Sequence, residues 1–293
     1  MKSSRIRHAL SVDVEDWYNS AVLLISGRVV PPTGKVQRNT ERLLQLFDDC
    51  DVKATWFVLG EIADAFPSLV RRIADAGHSL GVHGYHHHPA YKLTRTEFRN
   101  SLRSAKEAVE KASGKKVMGH RAVAFSLGSR TPWAFDVIKE LGFQYDSSIF
   151  PFKGRRYGAA NAPLVPYTIQ TESGPILELP LSVLEYGLLR LPCSGGGYLR
   201  HFPTVYTHVA FRALTRLERS GIIYIHPYEI DVEYDALYFQ MLKGRIARLQ
   251  LKWVRYMQYR NRCWTISKLR YLLSHHNFSN IEEVFRGSLI ESV

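Results

Sequence analysis

Four groups of side chains in this sequence could together carry out hydrolytic chemistry. They are an acid cluster, a histidine cluster, one arginine and one further histidine, namely Asp13, Glu15 and Asp16; five of the twelve histidines within residues 78–88; Arg121; and His226. Carboxylates, imidazoles and a guanidinium that converge on one pocket are the groups of a metal-assisted hydrolase. The sequence therefore predicts one such site, provided that the fold brings the four groups together.

The histidine cluster has the spacing of a metal site. His83 and His87 stand four residues apart, so one helical turn would place both rings on the same side. Imidazole nitrogens placed in this way suit Zn²⁺, Co²⁺ or Fe²⁺, and a nearby carboxylate would complete the ligand set. A solvated polar loop is the alternative interpretation. We expect His86 and His88 to lie outside the metal site.

The acid cluster needs a positive partner. Three carboxylates crowded into a hydrophobic setting repel one another unless a cation or an arginine neutralises them. Arg121 is the predicted partner, and it would hold one acid ionised so that the acid can act as a base. The alternative is that these acids only cap the next helix or solvate a turn.

Each group follows a predicted strand, within an alternation of strands and helices. The expected strands are His8–Val12, Lys53–Leu59, His78–Val82, Val117–Gly119, Gln144–Asp146 and Ile222–Ile225. The expected helices are Thr40–Phe47 with Thr40 as its N-cap, Pro67–Ala76, Thr94–Ala112 with a capping box, and Thr131–Leu141. This alternation predicts a parallel sheet covered by helices, whose functional side chains gather at the carboxyl ends of the strands.

Length and composition bound the class of protein. The 293 residues are 45% hydrophobic and 23% charged, which indicates a globular chain with a large core. No apolar run approaches the roughly 20 residues that a bilayer requires, and no signal peptide is recognised. Cys50, Cys193 and Cys263 form no paired motif, so we expect a cytoplasmic protein. The net charge of +12 indicates an anionic partner, but no nucleic-acid-binding module is recognised.

Five short motifs, in order, resemble those of the polysaccharide deacetylases, the NodB-homology domain of carbohydrate esterase family 4. They are SVDVEDW (11–17), HGYHH (83–87), GHRA (119–122), YDSSIFP (145–151) and IHP (225–227). SGGGYLR (194–200), HPYEID (226–231) and a basic tail are similar to the branch found with exosortase and exopolysaccharide gene clusters. The resemblance implies a distorted (β/α) barrel over residues 1–235, and we expect a basic helical extension packed on it over residues 236–293.

The resemblance implies a role for each group of the site. Asp13 would be the general base for the attacking water, and Arg121 would pair with it. His226 would be the general acid that protonates the leaving amine. His83 and His87 would be metal ligands, most simply of Zn²⁺, with Co²⁺ or Fe²⁺ as alternatives.

Three features depart from the family pattern or leave its details open. The carboxylate ligand would be either Asp16 or Glu15, because this chain lacks the usual pair of adjacent aspartates. Val123 stands where the family has a proline, which leaves the orientation of Arg121 to be determined. Asp146 would either orient the general acid or simply end a strand.

Further candidates concern binding. We interpret Tyr85, Asp146, Gly196 and Tyr198 as substrate-binding residues, since aromatic rings stack on sugars and a glycine-rich loop lets a sugar chain approach; a plain turn is the alternative for the glycines. Residues 236–280 hold nine basic and no acidic residues. Within them the helical spacing of Leu242, Ile246, Leu249, Trp253 and Met257 predicts an amphipathic helix, which would dock on an anionic membrane leaflet or pack on the barrel.

The function expected from the resemblance is removal of N-acetyl groups from an N-acetylhexosamine-containing polysaccharide or its lipid-linked precursor, at the inner face of the membrane and in exopolysaccharide biosynthesis. Two alternatives stay open. One is hydrolysis of a cyclic amide or ureide on the same fold. The other is a non-catalytic module that binds an anionic polymer.

Overall fold

A curled, mostly parallel sheet forms the centre of the molecule. The computed structural model describes residues 6–154, 158–187 and 189–291. Its strands are β1 (His8–Val14), β2 (Thr55–Val58), β3 (Ser79–Val82), β4 (Gly119–His120), β5 (Tyr145–Asp146), β6 (Tyr167–Ile169), β7 (Ile176–Glu178), β8 (Val183–Tyr186), β9 (Leu189–Pro192), β10 (Ile222–Ile225) and β11 (Phe278–Ser279). The main sheet runs in the order β10-β1-β2-β3-β4-β5-β7-β6, with β11 beside the start of β1. The predicted distorted (β/α) barrel class is confirmed.

Helices cover the outside of this sheet and fill the carboxyl-terminal part of the chain. They are α1 (Trp17–Ser26), α2 (Gly34–Asp49), α3 (Gly60–Ala65), α4 (Pro67–Asp75), α5 (Arg95–Ser113), α6 (Ala134–Glu140), α7 (Gly197–His201), α8 (Thr204–Arg216), α9 (Ala236–Leu242), α10 (Arg248–Tyr259), α11 (Arg262–His275), α12 (Ile281–Val284) and α13 (Arg286–Glu291). Among the described residues, no helix is both long and apolar enough to span a bilayer.

The period of two along β1 separates its core residues from its polar ones. Leu10, Val12 and Val14 pack into the large core shared with the covering helices. The intervening Ser11 and Asp13 lie on the other face, inside the curl of the sheet, where both contact Arg121. The polar interior of the barrel at this end is therefore set by simple alternation.

Of the two N-cap residues predicted from the sequence, one caps its helix and the other does not. The capping box at Thr94 is confirmed, because its side chain accepts from the backbone N–H of Glu97 and the Glu97 carboxylate accepts from that of Thr94. The prediction that Thr40 caps a helix is wrong. Thr33 caps α2 instead, and Thr40 is buried inside that helix.

The single amphipathic helix predicted through residues 242–257 is also wrong. The chain breaks after Leu242, with Gly244 at φ 80°, and a new helix starts at Arg248. Leu242 is buried at the end of α9, whereas Leu249 and Trp253 are 78% and 62% exposed on α10. The expected apolar stripe is thus divided between a buried helix end and an open surface.

Strand β11 and helix α12 lie under the sheet, at the amino ends of its strands, and together form what we call its floor. Tyr145 donates a hydrogen bond of 2.6 Å to Glu282, and Thr55 donates one of 2.8 Å to the other oxygen of the same carboxylate. The backbone N–H of Ile281 donates to the Thr55 hydroxyl at 2.9 Å. These contacts join the segment after residue 235 to strands that come before it. A domain boundary at residue 235 stays a prediction.

Candidate functional site

The carboxyl ends of β1, β3, β4 and β10 meet in one polar pocket. Asp13 is the inward-facing residue near the end of β1, and Glu15 is the next residue with the same orientation. His83 continues β3, since its backbone N–H donates to Val58 of the neighbouring strand at 2.9 Å. Arg121 and His226 directly follow β4 and β10. Parallel pairing in register therefore brings together residues from four distant parts of the sequence.

Arg121 is fully buried and holds Asp13. Its Nη1 donates to Asp13 Oδ1 and to Ser11 Oγ, both at 2.8 Å. Its Nε and Nη2 donate to the backbone oxygen and hydroxyl of Ser147 at 3.0 Å, and its guanidinium lies 4.3 Å from the centre of the Phe57 ring. Thus Arg121 has a defined orientation with valine at position 123.

The charge of Asp13 follows from this pairing. Burial alone would raise the pKa of Asp13, but Arg121, His83 and His226 outweigh it and hold that pKa below its usual value. Asp13 Oδ2 lies 3.9 Å from His226 Nε2. The pocket therefore presents an ionised carboxylate whose second oxygen faces the lone histidine.

Glu15, His83 and His87 form a buried cluster with one ligand atom from each residue within 4.8 Å of the others. His83 Nε2 lies 3.9 Å from Glu15 Oε2, and His87 Nε2 pairs with the same oxygen. His83 Nδ1 lies 2.8 Å from the Arg121 carbonyl oxygen, a contact that fixes its ring and leaves Nε2 toward Glu15.

The donor set of this cluster fits a divalent metal ion. Glu15 Oε2 is buried and receives no hydrogen bond of normal geometry from the described residues. Two imidazoles and one carboxylate are a common protein ligand set for Zn²⁺ and related ions. Burial lowers the pKa of His83 to about 4, so its ring is neutral and can act as a ligand at neutral pH. The helical turn predicted to join His83 and His87 is not formed, because the chain bends through Gly84 at φ 93°.

Asp16, the other carboxylate considered as a ligand, lies elsewhere. It caps α1 by accepting a hydrogen bond from the backbone N–H of Trp17 at 2.8 Å, and Asn19 completes the capping box. Burial raises the pKa of Asp16 to about 7. The alternation of Ser11, Asp13 and Glu15 is the signal in the sequence that separates the two acids, since the next residue must leave that face.

His226 faces the two carboxylates from the opposite side. Its Nε2 lies 3.4 Å from Glu15 Oε1, and its Nδ1 lies 3.3 Å from Glu229 Oε2. Burial alone would lower the pKa of His226, but Glu15, Glu229 and Asp13 outweigh it and raise that pKa to about 9. With 14% of its side chain exposed, His226 is also the most accessible of these groups.

Asp146 does not orient His226. Its Oδ1 lies 2.6 Å from His120 Nδ1 and accepts from the Ser148 hydroxyl at 2.8 Å. Burial and the adjacent Asp146 raise the pKa of Glu178 well above its ordinary value, so Glu178 is the protonated member of this buried pair. Of the two alternatives from the sequence, the structure agrees with the second: Asp146 ends β5, and it also contacts His120.

The other candidate binding residues have structural contacts. Tyr85 donates from its hydroxyl to Asp64 at 2.7 Å. Tyr198 packs against Phe150 and Phe152 in the second core cluster. Gly196 has φ 54° and donates a backbone hydrogen bond of 2.8 Å to Tyr224 of β10, and a Cβ there would lie 2.6 Å from the Tyr224 ring. The glycine run thus allows the backbone to pair closely with β10, and substrate contact by these residues stays a prediction.

Three residues around the site were not identified from the sequence. Ser147 holds Arg121, Glu229 contacts His226, and Arg200 lies 3.4 Å from Glu229. Both Glu229 and Arg200 stand in motifs that were noted, but their roles depend on contacts between segments. Only the spacing of Glu229, three residues after His226, was a usable signal.

Comparison with known proteins agrees with this geometry. Residues 31–145 match the family model for polysaccharide deacetylase, and residues 147–286 match a domain of unknown function, DUF3473. A peptidoglycan-N-acetylglucosamine deacetylase of Bacillus cereus is 39% identical over 75 residues, which are 26% of this chain and 27% of that protein. A peptidoglycan deacetylase of Helicobacter pylori is 32% identical over 108 residues, 37% and 36% of the two chains.

These alignments span about a quarter to a third of the curated relatives. The fold likeness is broader. A crystal structure described as a probable polysaccharide deacetylase from Pseudomonas aeruginosa superposes with a TM-score of 0.61 at 17% identity, over 97% of this chain and 90% of that one. Residues 31–145 therefore belong to a polysaccharide deacetylase domain, the NodB-homology domain of carbohydrate esterase family 4, and the likeness in fold extends beyond these residues.

Proposed function

We propose that this protein hydrolyses N-acetyl groups on an N-acetylhexosamine-containing polysaccharide or its lipid-linked precursor, releasing acetate and leaving a free amine. The observation that carries the proposal is the joint placement of an arginine-held Asp13, the cluster of Glu15, His83 and His87, and a facing His226. A role in exopolysaccharide biosynthesis and membership of the exosortase-associated branch are parts of the same proposal.

Two residues divide the proton transfers between them. Asp13 is ionised, and its Oδ2 is not used by Arg121, so this oxygen can accept a proton from the attacking water. His226 holds a proton at neutral pH, and its Nε2 faces the pocket, where it can protonate the departing amine nitrogen. A base and an acid on opposite sides of one cavity are what amide hydrolysis requires, because the amine leaves only when protonated.

Glu15, His83 and His87 would hold a divalent metal ion, for which Zn²⁺ is our first choice and Co²⁺ or Fe²⁺ are alternatives. When bound, the metal would act as a Lewis acid on the acetyl carbonyl. It would also balance the charge of Glu15, since Arg121 pairs with Asp13.

Acetate release from an N-acetylglucosamine oligomer tests this proposal. We expect release by the Zn²⁺-loaded protein, and a loss of about 10²–10⁴-fold in Asp13→Asn, because the amide cannot accept the proton. Asp16→Asn is the matched control, since asparagine can still cap α1. Equal activity of wild type and Asp13→Asn would contradict the assignment of the base.

The two other functions have separate outcomes. Metal binding without acetate release, together with hydrolysis of a cyclic amide or ureide, would favour the first alternative. Salt-dependent binding of an anionic polysaccharide that Asp13→Asn leaves unchanged, without any hydrolysis, would favour a binding module.

We further propose that α10 contacts the surface of an anionic membrane. Leu249, Trp253 and Tyr256 form one stripe on this helix and are 78%, 62% and 51% exposed. Exposed Lys252 and Arg255 flank the stripe. A short helix with an open apolar stripe, basic neighbours and a tryptophan has the composition of an interfacial helix.

This surface lies close to the proposed active site. On its inner side α10 packs Leu251 and Val254 against a cluster that contains Trp17 and Tyr228. Tyr228 in turn stacks on His226, with 4.9 Å between ring centres and 15° between planes. This cluster thus connects α10 to the pocket, which supports a substrate presented on a lipid carrier.

Vesicle co-sedimentation tests the membrane contact. We expect the protein to bind equimolar phosphatidylglycerol and phosphatidylcholine vesicles but not pure phosphatidylcholine, and Leu249→Ser with Trp253→Ser to remove most of the binding. Val205→Ser with Val209→Ser is the control, because these residues are similarly exposed on α8. Equal loss in both double variants, or binding that ignores lipid charge, would contradict the proposal.

The cytoplasmic location stays a prediction, and Cys263 offers a test of it. This cysteine is exposed and forms no disulfide. We expect a membrane-impermeant maleimide to label it only after the inner membrane is permeabilised. Labelling in intact spheroplasts would place the protein on the outer face.

A further inference from the structure

His226 is held on three sides by its own neighbourhood. Glu229 Oε2 lies 3.3 Å from the ring Nδ1 and accepts a hydrogen bond of 3.2 Å from the His226 backbone N–H. Tyr228 stacks on one face of the ring, and Tyr224 meets it edge-on at 5.5 Å. With these contacts the remaining nitrogen, Nε2, can only face the pocket.

Glu229 is itself buried and held from behind. Its Oε1 lies 3.4 Å from Arg200 Nε. Arg200 is also buried, and its Nη1 donates to the backbone oxygens of Met257 and Gln258 at 2.7 Å. A continuous chain of contacts therefore runs from the last turn of α10, through two buried ionic side chains, to the ring of His226.

We propose that Glu229 is the positioning residue for His226 and that Arg200 keeps Glu229 in place. This inference rests on the proposed deacetylase function. A carboxylate on Nδ1 fixes the ring so that Nδ1 carries a hydrogen toward Glu229 and Nε2 presents its proton to the leaving nitrogen. Asp146, an acid from another strand, is engaged by His120 and is not available for this task.

The chemistry of the leaving group separates positioning from simple structural support. An amine must be protonated as it leaves, whereas a nitrophenolate can leave as an anion. A residue that only orients the general acid is therefore needed for an N-acetyl amide and not for 4-nitrophenyl acetate, and a residue that only maintains the fold is needed for both.

We would compare Glu229→Gln, Glu229→Asp and wild type on both substrates, with metal affinity measured in parallel. In Glu229→Gln we expect kcat for the N-acetylglucosamine oligomer to fall about 10²-fold with little change in KM, and hydrolysis of 4-nitrophenyl acetate to change less than about threefold. Glu229→Asp, which keeps the charge, should retain more of kcat. Glu233→Gln is the control, because that side chain is 56% exposed.

Two results would overturn the inference. An equal loss on both substrates with lower thermal stability would make Glu229 a structural residue, and an unchanged kcat would remove it from the reaction. If wild type released no acetate, the proposed function would fail separately. Nitrogen-15 spectra of His226 would still test the geometry, since the Nδ1–H signal should be protected in wild type and lost in Glu229→Gln but not in Glu233→Gln.

Discussion

Two clusters of histidines lie at opposite ends of β1, and their neighbours differ. At the carboxyl end, His83, His87 and His226 lie among buried carboxylates. At the amino end, His8 and His276 lie against each other and against Phe211, 4.9 and 5.9 Å from its ring centre. The first set resembles a metal and proton-transfer site, and the second resembles an aromatic core.

The carboxylates account for this difference. Burial lowers the pKa of His8 to about 3 and that of His276 to about 4, and neighbouring histidines lower both further. Burial would lower the pKa of His226 as well, yet its acidic neighbours raise that pKa to about 9. Clustering of histidines is therefore a weak indication of function, and the presence of acids on the same face is a stronger one.

The largest expected effect concerns the metal. In Glu15→Gln we expect the affinity for Zn²⁺ to fall by more than about 10²-fold, because loss of a ligand should exceed the cost of losing its supporting contacts. Titration calorimetry on Glu15→Gln, Asp16→Asn and His276→Gln checks this. Weak binding in His276→Gln but not in Glu15→Gln would contradict the proposed site, because it would place the metal at the amino end of β1.

An intermediate effect concerns stability at low pH. His8 is neutral when folded and gains a proton on unfolding below about pH 6.5, so it reduces the free energy of unfolding as the pH falls from about 6.5 toward about 3. Its contribution has an upper limit of about 1.4 kcal/mol per pH unit. Urea unfolding should show a shallower pH dependence in His8→Gln over this range, and an unchanged slope would contradict the buried neutral state.

The smallest expected effect is that of His86, which neighbours His87 in sequence but is not a member of the buried cluster of Glu15, His83 and His87. Its Nδ1 lies 2.7 Å from Glu61, and 40% of its side chain is exposed. A half-exposed pair of this kind contributes about 0–1 kcal/mol. Acetate release by His86→Gln should therefore stay within about threefold of wild type, and a much larger loss would extend the site beyond the described cluster.

The strand and helix order could be predicted because local signals determine it. β10 was predicted with its observed bounds, and α4 and α5 within one residue at each end. The break after Leu242 was missed because helical spacing alone does not register a turn at Gly244. Periodicity predicts a helix or strand well where its apolar face is continuously buried. It predicts poorly where some of the apolar residues are buried and others are exposed.

Within the site, the sequence could suggest groups but not their pairings. Glu15 and Asp16 could have been separated by the alternation of β1 alone. The partners of Asp146 and Glu229 could not, because His120, Glu178 and Arg200 reach them from other segments. Such contacts depend on the register of distant strands, which no local pattern encodes.

The floor beneath the sheet has a consequence for how the chain is made. At about 5–20 residues per second, roughly 10–50 s pass between the synthesis of β1 and that of Glu282. Until residue 225 is made, the acids of β1 exist without β10 beside them, and until Glu282 is made the sheet lacks the carboxylate that receives Tyr145 and Thr55. A nascent chain can therefore hold every group of the site and still lack a closed barrel, so that the sheet is completed only after Ile281 and Glu282 have left the ribosome.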